Sequence, residues 1–298
     1  MFPSQEACLT FIQHLRWPGG HVCPECGSRT EPWRQTRGRL VCPECRHQGS
    51  TTAGTIFDKT RTPLTVWFEA AWHLTTAKNG LSAKTLERTL GVRYRVAWTM
   101  LQRFRVAMVR ADRSRLLGSV EVDETMVGGV NHGGKKGRGS AKSIVVIAVE
   151  VLEPKGFGRV RMHHIPDASG GSLLPFIKGA ITPGAIVHTD GWRGYDGLEA
   201  RGYTHRKTVI ATSNDPAHVV MPAVHRVASL LKRWILGTHQ GSVTPEHLQG
   251  YLEEFTFRFN RRTSRSRGLV FRRLLEQAVV TAPVTEAQVT HGKHWRPQ

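Results

Sequence analysis

Two Cys-x-x-Cys pairs near the N-terminus restrict the fold of this chain more than any other feature. Cys23-Pro-Glu-Cys26 and Cys42-Pro-Glu-Cys45 are separated by residues 27–41, and this spacing is typical of a four-cysteine zinc site of the ribbon type. The alternatives are a redox dithiol, which needs one such pair, and structural disulfides, which need an oxidising compartment. Because four sulfur ligands leave no open coordination position, the predicted zinc is structural.

The chain is strongly basic. Over 298 residues it has 42 Lys and Arg against 23 Asp and Glu, a formal net charge of +19. Such a charge predicts a polyanionic partner, and nucleic acid is the commonest. No apolar run approaches the roughly 20 residues of a membrane-spanning helix, and the N-terminus lacks the pattern of a signal peptide. We therefore expect a cytoplasmic protein that works without a membrane.

Residues 82–108 have the pattern of a helix-turn-helix. Ser82 is placed to cap a first helix that Gly91 ends, and a second, basic helix with an apolar face follows. An ordinary pair of packed helices would give the same pattern, but the net charge and the neighbouring zinc ribbon favour the DNA-binding motif. The candidate DNA contacts are Arg93, Arg95 and Arg103.

A strand rich in carboxylates follows. Val120 and Val122 alternate with Glu121 and Asp123, the period of a strand with one buried face. A buried carboxylate costs several kcal/mol unless it is paired or bound to a metal. Either this is an edge strand whose acidic residues face water, or Asp123 binds a divalent metal from the middle of a sheet.

The segment 128–139 is rich in glycine and lysine. It approaches the spacing of a phosphate-binding loop, but Lys136 stands where that motif requires Ser or Thr. We interpret it instead as a basic hairpin in which Lys135 and Lys136 contact a DNA backbone.

Three further polar residues occur at positions where α/β sites collect their ligands. Asp190 ends a predicted strand, a usual ligand position, although an Asp before Gly also simply forms turns. His225 and Lys232 lie seven residues apart on a later predicted helix, and therefore nearly on one face. Alone, they are equally explained as an ordinary imidazole and a solvated charge.

The order of the predicted elements resembles the ribonuclease-H-like fold of DDE transposases. The sequence is most similar to insertion-sequence transposases with an N-terminal zinc ribbon, called ISXO-two-like. The resemblance implies an α/β protein in which a zinc ribbon and a helix-turn-helix precede a ribonuclease-H-like catalytic domain with a mixed five-stranded sheet and flanking helices. The pieces that carry it, over almost the whole chain, are RWPGGHVCPECGS, the second CPEC, VEVDETMVGG, HTDGWRGYDGL, VHRVASLLKRWILGTHQG and HLQGYLEEFTFRFNRR.

The resemblance also implies a reaction and a site. The reaction is metal-dependent cleavage of DNA at the element ends, followed by attack of the freed 3′-hydroxyl on target DNA. Asp123 would bridge two Mg²⁺ or Mn²⁺ ions, Asp190 would hold one of them, and Lys232 would contact a phosphate near the cut. The usual third ligand is a Glu, and His225 stands in its place. Since magnesium prefers oxygen ligands, an imidazole here favours manganese. The alternatives are that His225 takes part in proton transfer or orients a water, and that Glu253 or Glu254 supplies the missing carboxylate.

The resemblance assigns partners and domains as well. We expect the protein to bind double-stranded DNA as terminal inverted repeats and as target, to act as a homodimer or higher oligomer, and to associate with the bacterial nucleoid. The competing hypotheses are a non-catalytic zinc-ribbon regulator, a decayed transposase, and a nuclease of the same fold without strand transfer. The predicted domains are the ribbon at 1–58, the helix-turn-helix at 59–112, the catalytic domain at 113–280 and a loose tail at 281–298.

Overall fold

The computed structural model describes residues 2–35, 38–110, 112–128, 142–154, 156–208 and 217–292. It forms two compact units, one of Met1–Arg110 with Ser264–Gln298 and one of Ala111–Thr263. The sequence predicted a boundary after residue 112, close to the first of these junctions. It assigned residues 264–280 to the catalytic domain, whereas the structure places them in the first unit.

The described residues form α-helices and β-strands, and they include the 3-10 turns Arg193–Tyr195 and Glu199–Arg201. The helices are α1 (Gln5–Arg16), α2 (Leu64–Thr76), α3 (Ala83–Leu90), α4 (Tyr94–Ala107), α5 (Gly170–Ala180), α6 (Ala217–Val220), α7 (Pro222–His239), α8 (Pro245–Phe259), α9 (Arg267–Val280) and α10 (Glu286–Thr290). The strands are β1 (Trp33–Arg34), β2 (Arg39–Val41), β3 (Gln48–Ser50), β4 (Ser119–Val127), β5 (Ser143–Val151), β6 (Phe157–Ile165), β7 (Ile186–Asp190) and β8 (Thr204–Thr208).

The first unit joins a small antiparallel sheet, β1-β2-β3, to a group of helices. The Ser82 side chain caps α3 by accepting from the backbone N–H of Thr85, and Gly91 ends that helix in the left-handed conformation at φ +64°. The predicted loose tail contains α10, which begins with a capping box between Thr285 and Gln288 and buries Val289. The C-terminal residues are therefore ordered at least to the end of this helix.

The second unit is built on a five-stranded mixed sheet with the order β6-β5-β4-β7-β8. Strand β5 pairs antiparallel with β4 on one side and with β6 on the other, whereas β7 runs parallel to β4 and β8 parallel to β7. The predicted mixed five-stranded sheet is confirmed. An unbroken apolar run such as residues 144–149 predicts a strand buried on both faces. This run lies in β5, in which residues 145–150 are buried.

The two faces of this sheet carry different helices, and this difference positions the acidic residues of β4. Val120 and Val122 share one buried cluster with Leu173 and Ile177 of α5. The opposite face, which includes Ile147, packs against α7 and α8. Because side chains alternate along a strand, Glu121 and Asp123 face the α7 side. Across the described parts of the chain, no helix is both long and apolar enough to cross a membrane.

Candidate active site

A cleft of about 440 Å³ lies between the middle of β4 and one face of α7. Asp123 lines it from the strand, and His225, Ser229 and Lys232 line it from the helix. Positions i, i+4 and i+7 of a helix share one face, so the sequence spacing places these three side chains together. The structure thus brings Asp123, His225 and Lys232, three of the residues predicted from the sequence, to a single cleft.

His225 and Asp123 lie within the distance that two bonds to one cation can span. Nδ1 of His225 lies 3.9 Å from Oδ2 of Asp123, too long for a hydrogen bond. Two metal–ligand bonds of about 2.1 Å reach across at most about 4.2 Å. The other carboxylate oxygen, Oδ1, accepts the backbone N–H of Glu124 at 2.8 Å. The pair therefore fits a divalent cation held by one oxygen and one nitrogen.

Asp190 lies at the end of β7, the parallel neighbour of β4. The last paired residues of the two strands are Glu121 and His188, so Asp123 and Asp190 are each two residues further along. Oδ1 of Asp190 accepts the backbone N–H of Trp192 at 3.0 Å, the turn geometry expected of an Asp before Gly. This turn fixes the orientation of the carboxylate at the end of the strand.

A buried phenol indicates that the acidic residues of the two strands converge. Tyr195 is fully buried. Burial raises its pKa well above the ordinary value, and the charges of Glu124, Asp123 and Asp190 raise it further. All three carboxylates therefore act on one hydroxyl. No sequence pattern predicted that Tyr195 and Glu124 lie near Asp123 and Asp190.

Asp190 does not complete a compact three-ligand group with Asp123 and His225. In the described part of the chain, only the four cysteines form a group of three or more potential ligands whose atoms all lie within 4.8 Å of one another. A cation shared by all three residues would therefore have to draw the Asp190 carboxylate inward. Two carboxylates and an imidazole are nevertheless a donor set suited to a divalent ion such as Mn²⁺.

Lys232 brings a positive charge to the same cleft. Burial lowers the pKa of its ammonium group and the charge of Lys142 lowers it further, whereas Asp123 acts in the opposite direction. Lys232 therefore lies near a second lysine, Lys142, and near the carboxylate of Asp123. Such a pair of cations suits the phosphate of a bound nucleic acid.

Glu121 has a role that the sequence did not reveal. It is 4% exposed, and its Oε2 accepts the backbone N–H of Val224 at 2.9 Å. Burial raises its pKa, while hydrogen bonds from the N–H groups of Val224 and Ala223 act in the opposite direction. The interpretation of this stretch as an edge strand with its acidic residues in water therefore fails for Glu121. The available signal was its position, two residues before Asp123 on the same strand face.

Glu253 and Glu254, considered as substitutes for a missing carboxylate, lie elsewhere. Both are buried on α8, which packs against β6, the edge strand on the other side of the sheet from β7 and β8. Glu253 accepts from Arg113 at 2.7 Å and from Gln249 at 2.9 Å. Glu253 is thus engaged in an ion pair within the fold.

The four cysteines of the N-terminal unit form the predicted metal cluster. Their sulfur atoms all lie within 4.8 Å of one another, and the Sγ atoms of Cys23 and Cys45, and of Cys26 and Cys42, are 3.7 Å apart. A tetrahedron of Zn–S bonds of about 2.3 Å has edges of about 3.8 Å. These separations fit a structural zinc ion.

The two Cys-x-x-Cys turns have the same backbone hydrogen bond. Gly27 donates to the carbonyl of Cys23 at 2.9 Å, and Arg46 donates to that of Cys42 at 3.0 Å. Hydrogen bonding from the backbone of Cys26 lowers the pKa of the Cys23 thiol to about 6. Burial and the neighbouring thiols raise the pKa of Cys26 and of Cys45, so zinc binding must displace their protons.

The predicted DNA contacts of the first unit have different surroundings. Arg93 is exposed at the start of α4. Arg95 is also exposed and forms an ion pair with Glu286 of α10. Arg103 is partly buried and donates to the carbonyl of Ile56 at 3.3 Å. Lys135 and Lys136 lie outside the described residues.

Comparison with known proteins shows similarity over both units. Residues 115–260 match the ISXO2-like transposase domain, and residues 3–48 match the transposase zinc-ribbon domain. An uncharacterized protein in transposable element ISH50 of Halobacterium salinarum is 27% identical over 277 residues, which cover 86% of this chain and 91% of that protein. An uncharacterized transposase-like protein of Haemophilus influenzae is 26% identical over 116 residues, which cover 39% of this chain and 93% of that protein.

Proposed function

This chain belongs to the ISXO2-like transposases of insertion sequences, and we propose that it binds the terminal inverted repeats of its element and catalyses metal-dependent DNA cleavage and strand transfer. The cleft that brings Asp123, His225 and Lys232 together carries the proposal. Asp190 supports it, since this carboxylate ends the neighbouring parallel strand.

The catalytic unit of this proposal is ribonuclease-H-like. Its supporting feature is the sheet order, with three antiparallel strands on one side of the sheet and two strands parallel to β4 on the other. This topology brings Asp123, in the middle strand β4, beside Asp190, at the end of β7. Function is argued from these side chains, since folds of this kind host many activities.

The first unit would recognise the element ends. The four-cysteine ribbon and the helices α3 and α4 supply DNA-binding elements, and the net charge of +19 suits a polyanion. Arg93 and Arg95 are the exposed candidates on α4, and Lys135 and Lys136 would add backbone contacts. Because transposition joins two DNA ends, we propose that a homodimer or higher oligomer assembles on DNA.

The reaction has two balanced steps. In the first, water attacks a phosphodiester at the element end, the P–O3′ bond breaks, and the leaving oxygen takes a proton to become a 3′-hydroxyl. In the second, that hydroxyl gives up its proton and attacks a phosphodiester of target DNA, the new P–O bond forms as the target P–O3′ bond breaks, and the target 3′-oxygen takes up a proton. Both steps exchange one phosphoester bond for another bond to the same phosphorus.

The residues of the cleft would divide the remaining tasks. Asp123, Asp190 and His225 would hold the divalent cations, and Asp123, with an oxygen facing His225, is the candidate bridge. When bound, such ions activate the nucleophile and stabilise the leaving oxygen. The ammonium of Lys232 would bind a non-bridging phosphate oxygen next to the cut and fix its position.

The test is a joining assay with purified protein and labelled DNA that carries the element's own ends, in Mg²⁺ and separately in Mn²⁺. We expect strand-joined products with the wild-type protein and none with Asp123→Ala, while both proteins bind the ends equally. Asp167→Ala, a change to a surface carboxylate that caps a turn near α5, is the control that retains activity.

Two other outcomes would contradict the proposal in different ways. Equal binding without cutting by wild type would favour a DNA-binding regulator or a decayed transposase. Recovery of activity with His225→Glu would then identify the decayed enzyme. Cutting without joining would identify a nuclease of the same fold.

A further inference from the structure

We propose that Glu121 is a positioning residue for the Asp123–His225 pair, because its carboxylate fastens the first turn of α7 to strand β4. This inference rests on the proposed function of the cleft. It assigns to Glu121 no contact with DNA or metal. Its action is to set where His225 lies relative to Asp123.

Glu121 links the strand that carries Asp123 to the helix that carries His225. Glu121 and Asp123 point to the same face of β4, two residues and about 7 Å apart. The Glu121 carboxylate binds the N–H of Val224 at 2.9 Å. The next residue, His225, has its Nδ1 3.9 Å from the Asp123 carboxylate. The same segment of β4 thus carries Asp123 and, through Glu121, binds the first turn of α7, which carries His225.

The first turn of α7 depends on Glu121 for its backbone donors. The N-cap residue Met221 provides no side-chain cap, and Pro222 has no N–H to satisfy. The N–H of His225 donates to the carbonyl of Met221 at 3.4 Å. The two donors that remain in this turn are Ala223 and Val224; the N–H of Val224 donates to Glu121, and the N–H of Ala223 acts on the same carboxylate. This carboxylate therefore replaces the capping side chain that the helix lacks.

The choice of a carboxylate at this place is costly unless it has a specific role. A residue only 4% exposed loses most of its hydration, and a buried charge is retained only where hydrogen bonds and the positive end of a helix compensate. A non-polar residue would fill the same space without that cost, but it would leave the helix end unfastened. A carboxylate at position 121 is therefore better explained by its bond to the start of α7 than by packing alone.

Glu150 provides a matched comparison within the same unit. It is 7% exposed and also accepts backbone N–H groups, from Leu117 at 3.0 Å and from Arg159 at 2.8 Å. Neither partner belongs to α7 or to the cleft. Substitution of Glu150 therefore removes a carboxylate as buried as Glu121 but leaves the position of His225 unchanged.

The experiment measures Mn²⁺ binding from the EPR signal of the free ion in wild type, Glu121→Ala, Glu121→Gln, Glu150→Ala and Asp123→Ala, together with each thermal midpoint. We expect Glu121→Ala to weaken Mn²⁺ binding by about 10- to 100-fold, the usual effect of removing a supporting residue. Glu121→Gln keeps a carbonyl acceptor and should stay within about threefold of wild type. Glu150→Ala should lower the midpoint but leave Mn²⁺ affinity unchanged.

Equal Mn²⁺ affinity in Glu121→Ala and Glu150→Ala would overturn the inference, because Glu121 would then be only structural. If wild type itself shows no Mn²⁺ binding that depends on Asp123, the proposed function of the cleft fails first. If Glu121→Ala does not fold, Glu121→Asp carries the same expectation, since it keeps the charge but withdraws the acceptor by one methylene.

Discussion

His225 Nδ1 and Asp123 Oδ2 face one another across 3.9 Å between helix α7 and strand β4. The separation is too long for a hydrogen bond and is within the reach of two bonds to one ion. The strand supplies a carboxylate and the helix an imidazole, so the ion would join two elements that are distant in sequence. The following predictions test this arrangement and its surroundings.

Divalent metal should stabilise the fold through Asp123 and Asp190. With free Mn²⁺ at 100 times its dissociation constant, wild type should gain about 2.7 kcal/mol in the free energy of unfolding. Asp123→Asn and Asp190→Asn should gain less than about 1 kcal/mol, because the ion loses a charged ligand. Denaturant unfolding with and without Mn²⁺ measures this, and Asp167→Asn should behave as wild type. An equal gain in all four proteins would place the ion elsewhere.

The residue at position 225 should set the preferred metal. His225→Glu adds an oxygen ligand, so the ratio of the Mg²⁺-supported rate to the Mn²⁺-supported rate should rise by about tenfold. The joining assay in each metal gives the ratio. Ser229→Ala changes a neighbour of His225 in the cleft lining and should leave the ratio as it is. A ratio unchanged by His225→Glu would remove His225 from the metal site.

Lys232 should contribute a pH-dependent DNA contact. Burial lowers its pKa, so the ammonium charge, and the DNA affinity it supports, should be lost at a lower pH than for an ordinary lysine of pKa about 10.4. Lys232→Arg should remove this alkaline loss, because Arg stays charged. Lys232→Gln should make the slope of log affinity against log salt concentration shallower by about 0.9, the value for one lost phosphate contact. Binding titrations against pH and salt measure both effects.

A control separates Lys232 from general surface charge. Lys178 lies on α5, across the sheet from the cleft, and is exposed. Lys178→Gln should leave the alkaline loss of binding in place. The same pH profile in Lys232→Arg and wild type would contradict the assignment.

Removal of zinc should unfold the ribbon. Cys26→Ser should reduce bound zinc well below one ion per chain and weaken binding of the element ends, because β1–β3 are two or three residues long and have little other support. Metal analysis and DNA binding measure the two effects. Cys8→Ser is the control, since burial raises the pKa of the Cys8 thiol to about 11 and keeps it protonated. A full zinc content in Cys26→Ser would contradict the four-cysteine assignment.

Acid should destabilise the second unit through Glu150. Burial opposes its charge, but hydrogen bonds from Arg159 and Leu117 outweigh burial and leave the pKa below its ordinary value. The native state therefore stabilises the carboxylate at pH above the unfolded value of about 4.3, and this stabilisation is lost as pH falls through the native pKa. Unfolding measured from pH 6 to pH 3 should be less pH-dependent in Glu150→Gln than in wild type. An identical slope in the two proteins would refute the assignment.

Local patterns in the sequence predicted much of the site. The spacing of the cysteines predicted the metal cluster, and the seven-residue interval between His225 and Lys232 predicted that they share one face of α7. The unbroken apolar run predicted the buried strand β5. These features follow from the fixed geometry of turns, helices and strands, so a short stretch of chain is enough to reveal them.

Such local patterns could not predict which residues the arginines of α4 contact. Arg103 was predicted to contact DNA, but its guanidinium donates to the carbonyl of Ile56, 47 residues away in sequence. Arg95 meets Glu286, 191 residues away. A helical period gives the direction of a side chain but not its partner, and partners are set by packing.

The sequence by itself therefore determined the zinc ligands, the mixed α/β class and the elements that carry Asp123, Asp190, His225 and Lys232. Only the tertiary structure decided that Glu121 caps α7, through a bond to Val224, 103 residues away, and that Asp190 ends the strand beside Asp123. The physical reason is that residue spacing fixes geometry within one helix or strand. The order of strands in a sheet, and the burial of a charge against a helix end, depend on how the whole chain packs.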